Sequence, residues 1–353
     1  MIRVRQGRVL TVDSSEEGVS HLTVLVDGGR ARAVSYDDLT GSVSPGDRVL
    51  LNTTAVHLGL GTGGAHFVMG VIGRQTEYRG TGHIMKCRYT PAQVAVLAVE
   101  EPASPYHGAM HDGDLGGLPV IVATLHSMVP AAAAVLKAKR PESAVVYVMT
   151  DGAALPVRFS RLVSHMKRAG LLDAVITAGH AFGGDLEAVT VYSALLAAKK
   201  VCAADFAIVA MGPGVVGTGT VWGTTAVEQG TILDAAAILS GRPIAAPRLS
   251  FADPRERHRG VSHHSLTALG RVAARPCEVA LPKLDEPERT RVLSQLQAAG
   301  ITGRHRVREF AAGIVLDLLA ELDFEVRTMG RTFREEPGPF LSAGAAALCA
   351  LEG

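Results

Sequence analysis

The chain has 353 residues, of which 47% are hydrophobic and 20% charged, with 35 Lys and Arg against 34 Asp and Glu. This length exceeds one small domain and fits two domains, or one large α/β unit with an appendage. The net charge of +1 argues against a general nucleic-acid or membrane-surface binder, because such proteins usually present a basic surface.

The first 80 residues predict a small antiparallel, barrel-like β unit, because short β-branched runs alternate there with turn residues. The runs are Arg8–Val12, His21–Val26, Arg30–Tyr36 and Asp47–Asn52. Asp27-Gly-Gly, between the second and third runs, is a hairpin signal. Residues 81–116 follow as a glycine-rich connecting region with one predicted strand, Ala92–Glu100.

From about residue 117, apolar runs alternate six times with helical patterns. The runs are Leu118–Leu125, Ala144–Met149, Leu172–Ala178, Phe206–Met211, Pro243–Leu249 and Cys277–Leu281. The helices are Met128–Ala138, Leu155–Ala169, Leu186–Ala198, Thr224–Leu239, Ser265–Ala273 and Glu286–Ala299, then Phe310–Leu322 and Phe340–Leu351. Runs that are apolar throughout are typical of strands covered on both faces. We therefore predict an α/β fold: a mainly parallel, doubly wound, Rossmann-like sheet with helices on both faces over residues 81–353, preceded by the β-rich domain of residues 1–80.

Polar and glycine residues follow five of the predicted strands. These positions are His126, Asp151, residues 179–185, residues 212–220 and residues 250–264. Ligands of an open parallel sheet bind outside the carboxyl ends of its strands. We therefore expect one site at this edge.

The glycine segment after Phe206–Met211 predicts an anion site. It follows a strand and precedes a helix, the context in which backbone N–H groups and a helix N-terminus bind phosphate. Its glycines are Gly212, Gly214, Gly217 and Gly219, and Thr218, Thr220, Thr224 and Thr225 would add hydroxyl donors. The segment matches neither GxGxxG nor GxxxxGKS, so a tight packing turn and a mobile lid stay open as alternatives.

The segment after Pro243–Leu249 combines arginines with histidines. The three arginines, which would neutralise a phosphate or carboxylate through bidentate contacts, are Arg255, Arg257 and Arg259. His258, His263 and His264 are predicted to act as acids or bases. An ion-paired surface loop is the alternative for the arginines. The spacing HxxxxHH matches no standard zinc pattern, so a divalent metal stays an alternative as well.

Five further positions complete the candidate set. His180 and Asp151 are predicted catalytic groups, and His126 is a predicted ligand-binding residue. A metal would recruit Asp185 and Asp253 together with His263, although capping of the helix predicted at Leu186–Ala198 also explains Asp185. No GxSxG elbow is present to support covalent serine catalysis.

Five segments together resemble the bacterial domain-of-unknown-function family 3866. They are Met149–Pro156, Ala181–Asp185, Met211–Thr220, His258–His264 and Thr328–Arg331. The resemblance covers nearly the full length, including the N-terminal β unit. It implies a bacterial cytosolic protein, of actinobacterial or related Gram-positive type, and it carries over no catalytic residue.

These observations predict an enzyme, a hydrolase or group transferase, that acts on a small anionic, phosphate-bearing metabolite or nucleotide. One alternative is a non-catalytic module that senses a metabolite while the N-terminal β unit contacts a partner protein. Another is a metal-dependent hydrolase that uses Asp151, Asp185, Asp253 and the paired histidines. The N-terminal segment lacks a signal-peptide core and no apolar run could span a bilayer, so we expect a cytoplasmic protein without a membrane partner. The sequence leaves the oligomeric state open, a homo-oligomer included.

Overall fold

The computed structural model describes residues 1–61, 63–77 and 82–352. The chain forms two compact units, Met1–Val96 and Leu97–Gly353. The domain boundary predicted from the sequence, between residues 80 and 81, lies outside the described residues. No helix within the described ranges is long and apolar enough to cross a membrane.

The first unit is built on a closed five-stranded barrel in the order β1-β2-β3-β5-β4. Its strands are β1 (Val4–Glu16), β2 (Val19–Val26), β3 (Gly29–Tyr36), β4 (Arg48–Asn52) and β5 (Ala65–Val71), with short helices α1 (Asp37–Thr40) and α2 (Thr54–His57). Neighbouring strands are antiparallel except β3 and β5, a connectivity typical of OB-type barrels. The predicted barrel-like β unit is therefore confirmed.

Local sequence explains the β2–β3 hairpin. Asp27 and Gly28 have φ of +50° and +79°, the pair of positive values that a type I′ turn requires. Strand β5 was not predicted from the sequence. Downstream, β6 (Ile84–Lys86) and β7 (Val94–Val96) form an antiparallel pair, so the strand predicted at Ala92–Glu100 is much shorter than expected.

The second unit contains an eight-stranded sheet, parallel throughout, in the order β11-β10-β9-β12-β8-β13-β16-β17. These strands are β8 (Pro119–Ala123), β9 (Val145–Thr150), β10 (Ala174–Ala178), β11 (Leu186–Ala188), β12 (Phe206–Met211), β13 (Arg242–Ala246), β16 (Glu278–Pro282) and β17 (Arg306–Phe310). Two antiparallel pairs lie outside it: β14 (Leu249–Ser250) with β15 (Gly260–Val261), and β18 (Arg327–Thr328) with β19 (Arg331–Thr332). The predicted α/β fold is confirmed.

Helices cover both faces of this sheet. They are α3 (Val129–Lys139), α4 (Arg161–Arg168), α5 (Val191–Lys200), α6 (Glu228–Ile238), α7 (His263–Thr267), α8 (Glu288–Ala298), α9 (Ile314–Ala320) and α10 (Gly338–Leu351). Alternate residues of the central strands enter two separate cores, one packed against α3, α9 and α10 and the other against α5, α6 and α8. Burial on both faces explains why the strands read as continuous apolar runs.

Two strands of the sheet were missed from the sequence. Leu186–Ala188 was predicted as the start of a helix, but it pairs with β10 as an edge strand, and α5 begins only after Thr190, which caps it. Arg306–Phe310 forms the opposite edge, where alternate charged residues hide the apolar signal. The core strands were therefore predictable and the edges were not.

Candidate functional site

The two central strands of the sheet form a topological switch point at its carboxyl edge. Strand β8 connects to α3 on one face, whereas its neighbour β12 connects to α6 on the other. Adjacent strands whose connections leave on opposite faces create a topological switch point, where open α/β sheets bind ligands. The switch-point rule therefore directs attention to the residues that follow Ala123 and Met211.

Residues 212–225, called the glycine hairpin below, follow β12. Gly217 and Thr224 form an antiparallel bridge that closes the hairpin. The hydroxyls of Thr218 and Thr220 hydrogen-bond each other at 3.0 Å within its tip. These two predicted ligand donors therefore also hold the hairpin together.

The hairpin separates β12 from α6. The helix begins at Glu228 rather than at Thr224, so no glycine of the segment lies in its first turn. Gly214 and Gly219 have φ of +109° and +84°, values that glycine adopts without strain. The glycines thus shape a projecting hairpin, and not the phosphate-binding first turn that the sequence suggested.

One side of the glycine hairpin lies against residues 255–264, called the histidine segment below. A Cβ atom at position 217 would be 2.7 Å from Nε2 of His264, and one at position 219 would be 3.7 Å from Cζ of Arg257. Only a residue without a side chain permits this approach at position 217. Two loops that are far apart in sequence therefore meet as expected.

His258, His263 and His264 form the histidine cluster. One nitrogen from each ring lies within 4.8 Å of the others. The ring centroids are separated by 5.0 Å (258 to 263), 5.0 Å (258 to 264) and 4.2 Å (263 to 264). His258 lies in the loop that joins β14 to β15. Ser262 caps α7 by accepting a hydrogen bond from N–H of His264.

Burial and nearby positive charge favour the neutral form of the three imidazoles. Burial lowers the pKa of His258 to about 3, with the charges of Arg248 and Arg255 adding to the effect. Burial and the neighbouring His263 lower the pKa of His264 to about 4. The pKa of His263 is lowered by burial and by Arg257.

Asp253, a predicted metal ligand, is buried among arginines. Its carboxylate accepts hydrogen bonds from Arg248 at 3.0 Å and from Arg255 at 2.8 and 2.9 Å. These contacts hold the pKa of Asp253 well below its usual range, the hydrogen bonds of Arg255 contributing most. All three arginines are exposed, but Arg255 is largely occupied by this carboxylate.

A second group of polar residues lies at the ends of β9 and β10. The Asp151 carboxylate accepts a hydrogen bond from N–H of His180 at 2.8 Å. Thr150 donates to Glu228 at 2.6 Å. Burial raises the pKa of Glu228 to about 7, and the charge of Asp151 contributes in the same direction. N–H of Ala154 donates to the carbonyl of Pro213, so the loop after β9 contacts the start of the glycine hairpin.

Glu228 was not singled out from the sequence. It lies within the predicted helix Thr224–Leu239, where an acidic residue is ordinarily a solvated surface group. The only available signal was its place in the first turn of a helix that follows a glycine segment. Its burial depends on Gly152, because a Cβ there would lie 2.6 Å from Oε2 of Glu228.

Two predicted site residues have other partners. His126 is buried, with Nδ1 2.9 Å from the hydroxyl of Tyr147 and Nε2 2.6 Å from that of Ser160, and burial lowers its pKa to about 4. Asp185 pairs with Lys167 at 2.5 Å and accepts a hydrogen bond from N–H of Val175, near the amino end of β10. Asp185 therefore lies toward the opposite edge of the sheet, and it does not cap a helix.

The structure thus groups most predicted residues as two neighbouring sets along one edge. The fold and this edge define a doubly wound α/β protein with a topological switch point, which follows a five-stranded barrel in the chain. The family described as protein of unknown function (DUF3866) matches residues 32–347, and the chain belongs to that family. No curated protein and no solved structure matched the chain.

Proposed function

We propose that the protein is an enzyme that hydrolyses, or transfers a group from, a small anionic, phosphate-bearing metabolite or nucleotide. The contact between the glycine hairpin and the histidine cluster carries this proposal, since a Cβ at position 217 would lie 2.7 Å from Nε2 of His264. That contact brings the loop after β12 against the loop after β13, beside the switch point between β8 and β12, which supports a shared site at this edge.

Anion recognition is assigned to the exposed arginines of the histidine segment. Arg257 lies beside the hairpin, with its guanidinium carbon 3.7 Å from the position of a Cβ at 219. Guanidinium groups form paired hydrogen bonds with phosphate and carboxylate oxygens. Arg259 lies two residues further along and is also exposed, whereas Arg255 is held by Asp253.

Proton transfer is assigned to Glu228. A general acid or base works best when its pKa lies near the working pH, and burial brings the pKa of Glu228 to about 7. The Thr150 hydroxyl, 2.6 Å from one carboxylate oxygen, orients the group. Asp151 and His180 lie on the adjoining loops, where the charge of Asp151 acts on Glu228.

The first test measures binding. Thermal unfolding is recorded with inorganic phosphate and with a panel of nucleoside phosphates and sugar phosphates. A ligand at 100 times its dissociation constant stabilises the fold by about 2.7 kcal/mol. We expect Arg257→Gln to weaken binding by tenfold or more, whereas Lys139→Gln, the same charge change at the end of α3, leaves it unchanged. Equal effects of the two variants, or no stabilising anion, would contradict the proposal.

The second test measures turnover of whichever phosphate ester stabilises the protein. Released phosphate and the dephosphorylated or transferred product are quantified by mass spectrometry. We expect Glu228→Gln to lower kcat by about 10²- to 10⁴-fold with little change in binding. Binding without turnover by the wild-type chain would instead identify a metabolite-sensing module.

A further inference from the structure

The histidine cluster contains nitrogens that no protein group satisfies. Among the described residues, Nε2 of His263 and Nδ1 of His264 are buried and have no hydrogen-bond partner. His264 is only 5% exposed, so its orphaned nitrogen is cut off from bulk water. A buried polar atom left without a partner is unfavourable and calls for an explanation, such as a bound ion.

The third ring is held in place by a hydrogen bond of its own. Nδ1 of His258 lies 2.8 Å from the hydroxyl of Ser262, which leaves Nε2 of that ring for another partner. Histidines that bind a metal commonly use one nitrogen for the ion and the other for such an orienting hydrogen bond. Ser262 would therefore be an orienting residue, fixed in turn by its place at the start of α7.

The spacing of the rings also suits a metal ion. One nitrogen from each of the three rings lies within 4.8 Å of the others, a separation that small side-chain movements would close around an ion.

The positive charge of the arginines near the histidine cluster is partly compensated. The Asp253 carboxylate pairs with Arg248 at 3.0 Å and with Arg255 at 2.8 Å, so two of the three closest guanidinium groups share a counter-charge. Arg257 is exposed to solvent. An additional cation in this setting would be best accommodated together with an anion, which is the charge of the proposed substrate class.

We propose that His258, His263 and His264 form a binding site for a divalent transition-metal ion of zinc type, with a further coordination position for water or an anion. Three histidines plus an open position is a ligand set known for catalytic zinc, and imidazole also suits nickel, copper and iron. The inference deepens the proposed function and rests on it for the role of the ion, which would lower the pKa of a bound water and polarise the anionic substrate. None of the three carboxylates suggested by the sequence is needed as a ligand.

Metal content and affinity test the site directly. The full-length protein is stripped with EDTA, dialysed, and titrated with Zn²⁺ by calorimetry and with Co²⁺ by visible absorption. We expect about one equivalent of each ion, with Co²⁺ bands of a nitrogen-ligated site. His264→Gln and the half-buried His263→Gln should each weaken Zn²⁺ binding at least 100-fold, and Ser262→Ala should weaken it about 10- to 100-fold. His57→Gln, at an exposed histidine of the first unit, is the control and should bind as the wild type does.

The outcomes separate the metal site from the proposed function. Circular dichroism verifies that each variant is folded. Because two ligand variants are tested, the experiment can still be read if one of them fails to fold. Binding of less than a tenth of an equivalent, or unchanged affinity in both folded ligand variants, would overturn the metal site. If stripped protein still turns over its phosphate ester, the catalytic role inferred for the ion is wrong while the proposed function stands. If Zn²⁺ binds but phosphate esters do not, the metal site stands and the proposed function fails.

Discussion

Gly217 and His264 are 47 residues apart in the sequence, yet the backbone of Gly217 packs against the edge of the His264 ring. A Cβ atom at position 217 would lie 2.7 Å from Nε2 and 2.8 Å from Cε1 of that ring. The contact fixes the hairpin after β12 against the loop after β13. The geometry of the histidine cluster therefore depends on a residue that has no side chain.

Gly217→Ala is predicted to displace the His264 ring without unfolding the protein. The backbone of Gly217 does not lie in the positive-φ region, so alanine is tolerated there, and the ring is the group that must move. Overpacking of this kind costs roughly 1–3 kcal/mol. We expect Zn²⁺ affinity to fall tenfold or more, as measured by competition with a chromophoric chelator. Gly303→Ala, where the added Cβ would meet only a carbonyl 3.9 Å away, is the matched control. Wild-type affinity in Gly217→Ala would show that the ring position is unimportant for the ion.

Glu228→Gln is predicted to stabilise the protein at alkaline pH. The pKa of Glu228 rises from an ordinary 4.5 to about 7, so the folded state holds a proton that the unfolded state has released between these values. Stability from this group is therefore fully present below pH 4.5 and is lost as the pH rises through about 7. The difference in free energy of unfolding between Glu228→Gln and the wild type should reach on the order of 2–3 kcal/mol at pH 8 and vanish near pH 4.5. Urea unfolding of both proteins at pH 5 and pH 8 measures it, and an equal difference at both values would count against the assignment.

Asp151→Asn is predicted to lower the pKa of Glu228. The charge of Asp151 is one of the causes that raise this pKa, and asparagine retains an oxygen to accept the hydrogen bond from N–H of His180. The acidic limb of a pH–kcat profile should therefore move to lower pH, and the alkaline stability loss should begin earlier. Asp185→Asn, which removes a carboxylate paired with Lys167 toward the other edge of the sheet, should leave both curves in place.

The sequence predicted the centre of the fold because burial there leaves a clear pattern. Strands β8, β9 and β12 are buried on both faces and read as unbroken apolar runs. The edge strands carry no such pattern: β17 alternates with arginines, and Leu186–Ala188 looks like the start of the helix that follows it. Pairing with a neighbouring strand, which is a non-local interaction, makes these segments strands.

The sequence predicted which strand-end loops lie close together, but not the details of their contacts. The rule that strand-end loops share one edge placed His180 beside Asp151, and the glycine segment beside His264. The rule could not show that Asp185 returns toward the amino end of β10, because that depends on the unpredicted strand β11. Nor could it reveal Glu228, whose perturbed pKa arises from burial and from a neighbour on another loop.

Asp253→Asn is predicted to be the most destabilising single change near the site. The carboxylate, which is 2% exposed, accepts hydrogen bonds from the buried Arg248 and from Arg255, so its removal leaves the Arg248 charge without its closest partner. Removing one partner of a buried ion pair lowers the free energy of unfolding by about 3–5 kcal/mol. Glu325→Gln is the matched control, because it removes a carboxylate that accepts two hydrogen bonds from Arg327 at the surface. The side chains of Glu325 and Arg327 are 55% and 50% exposed. Such a surface pair is screened by water and should contribute little. Chemical denaturation of both variants at neutral pH compares the two environments, and similar losses would mean that the arginine cluster does not depend on Asp253 for its charge balance.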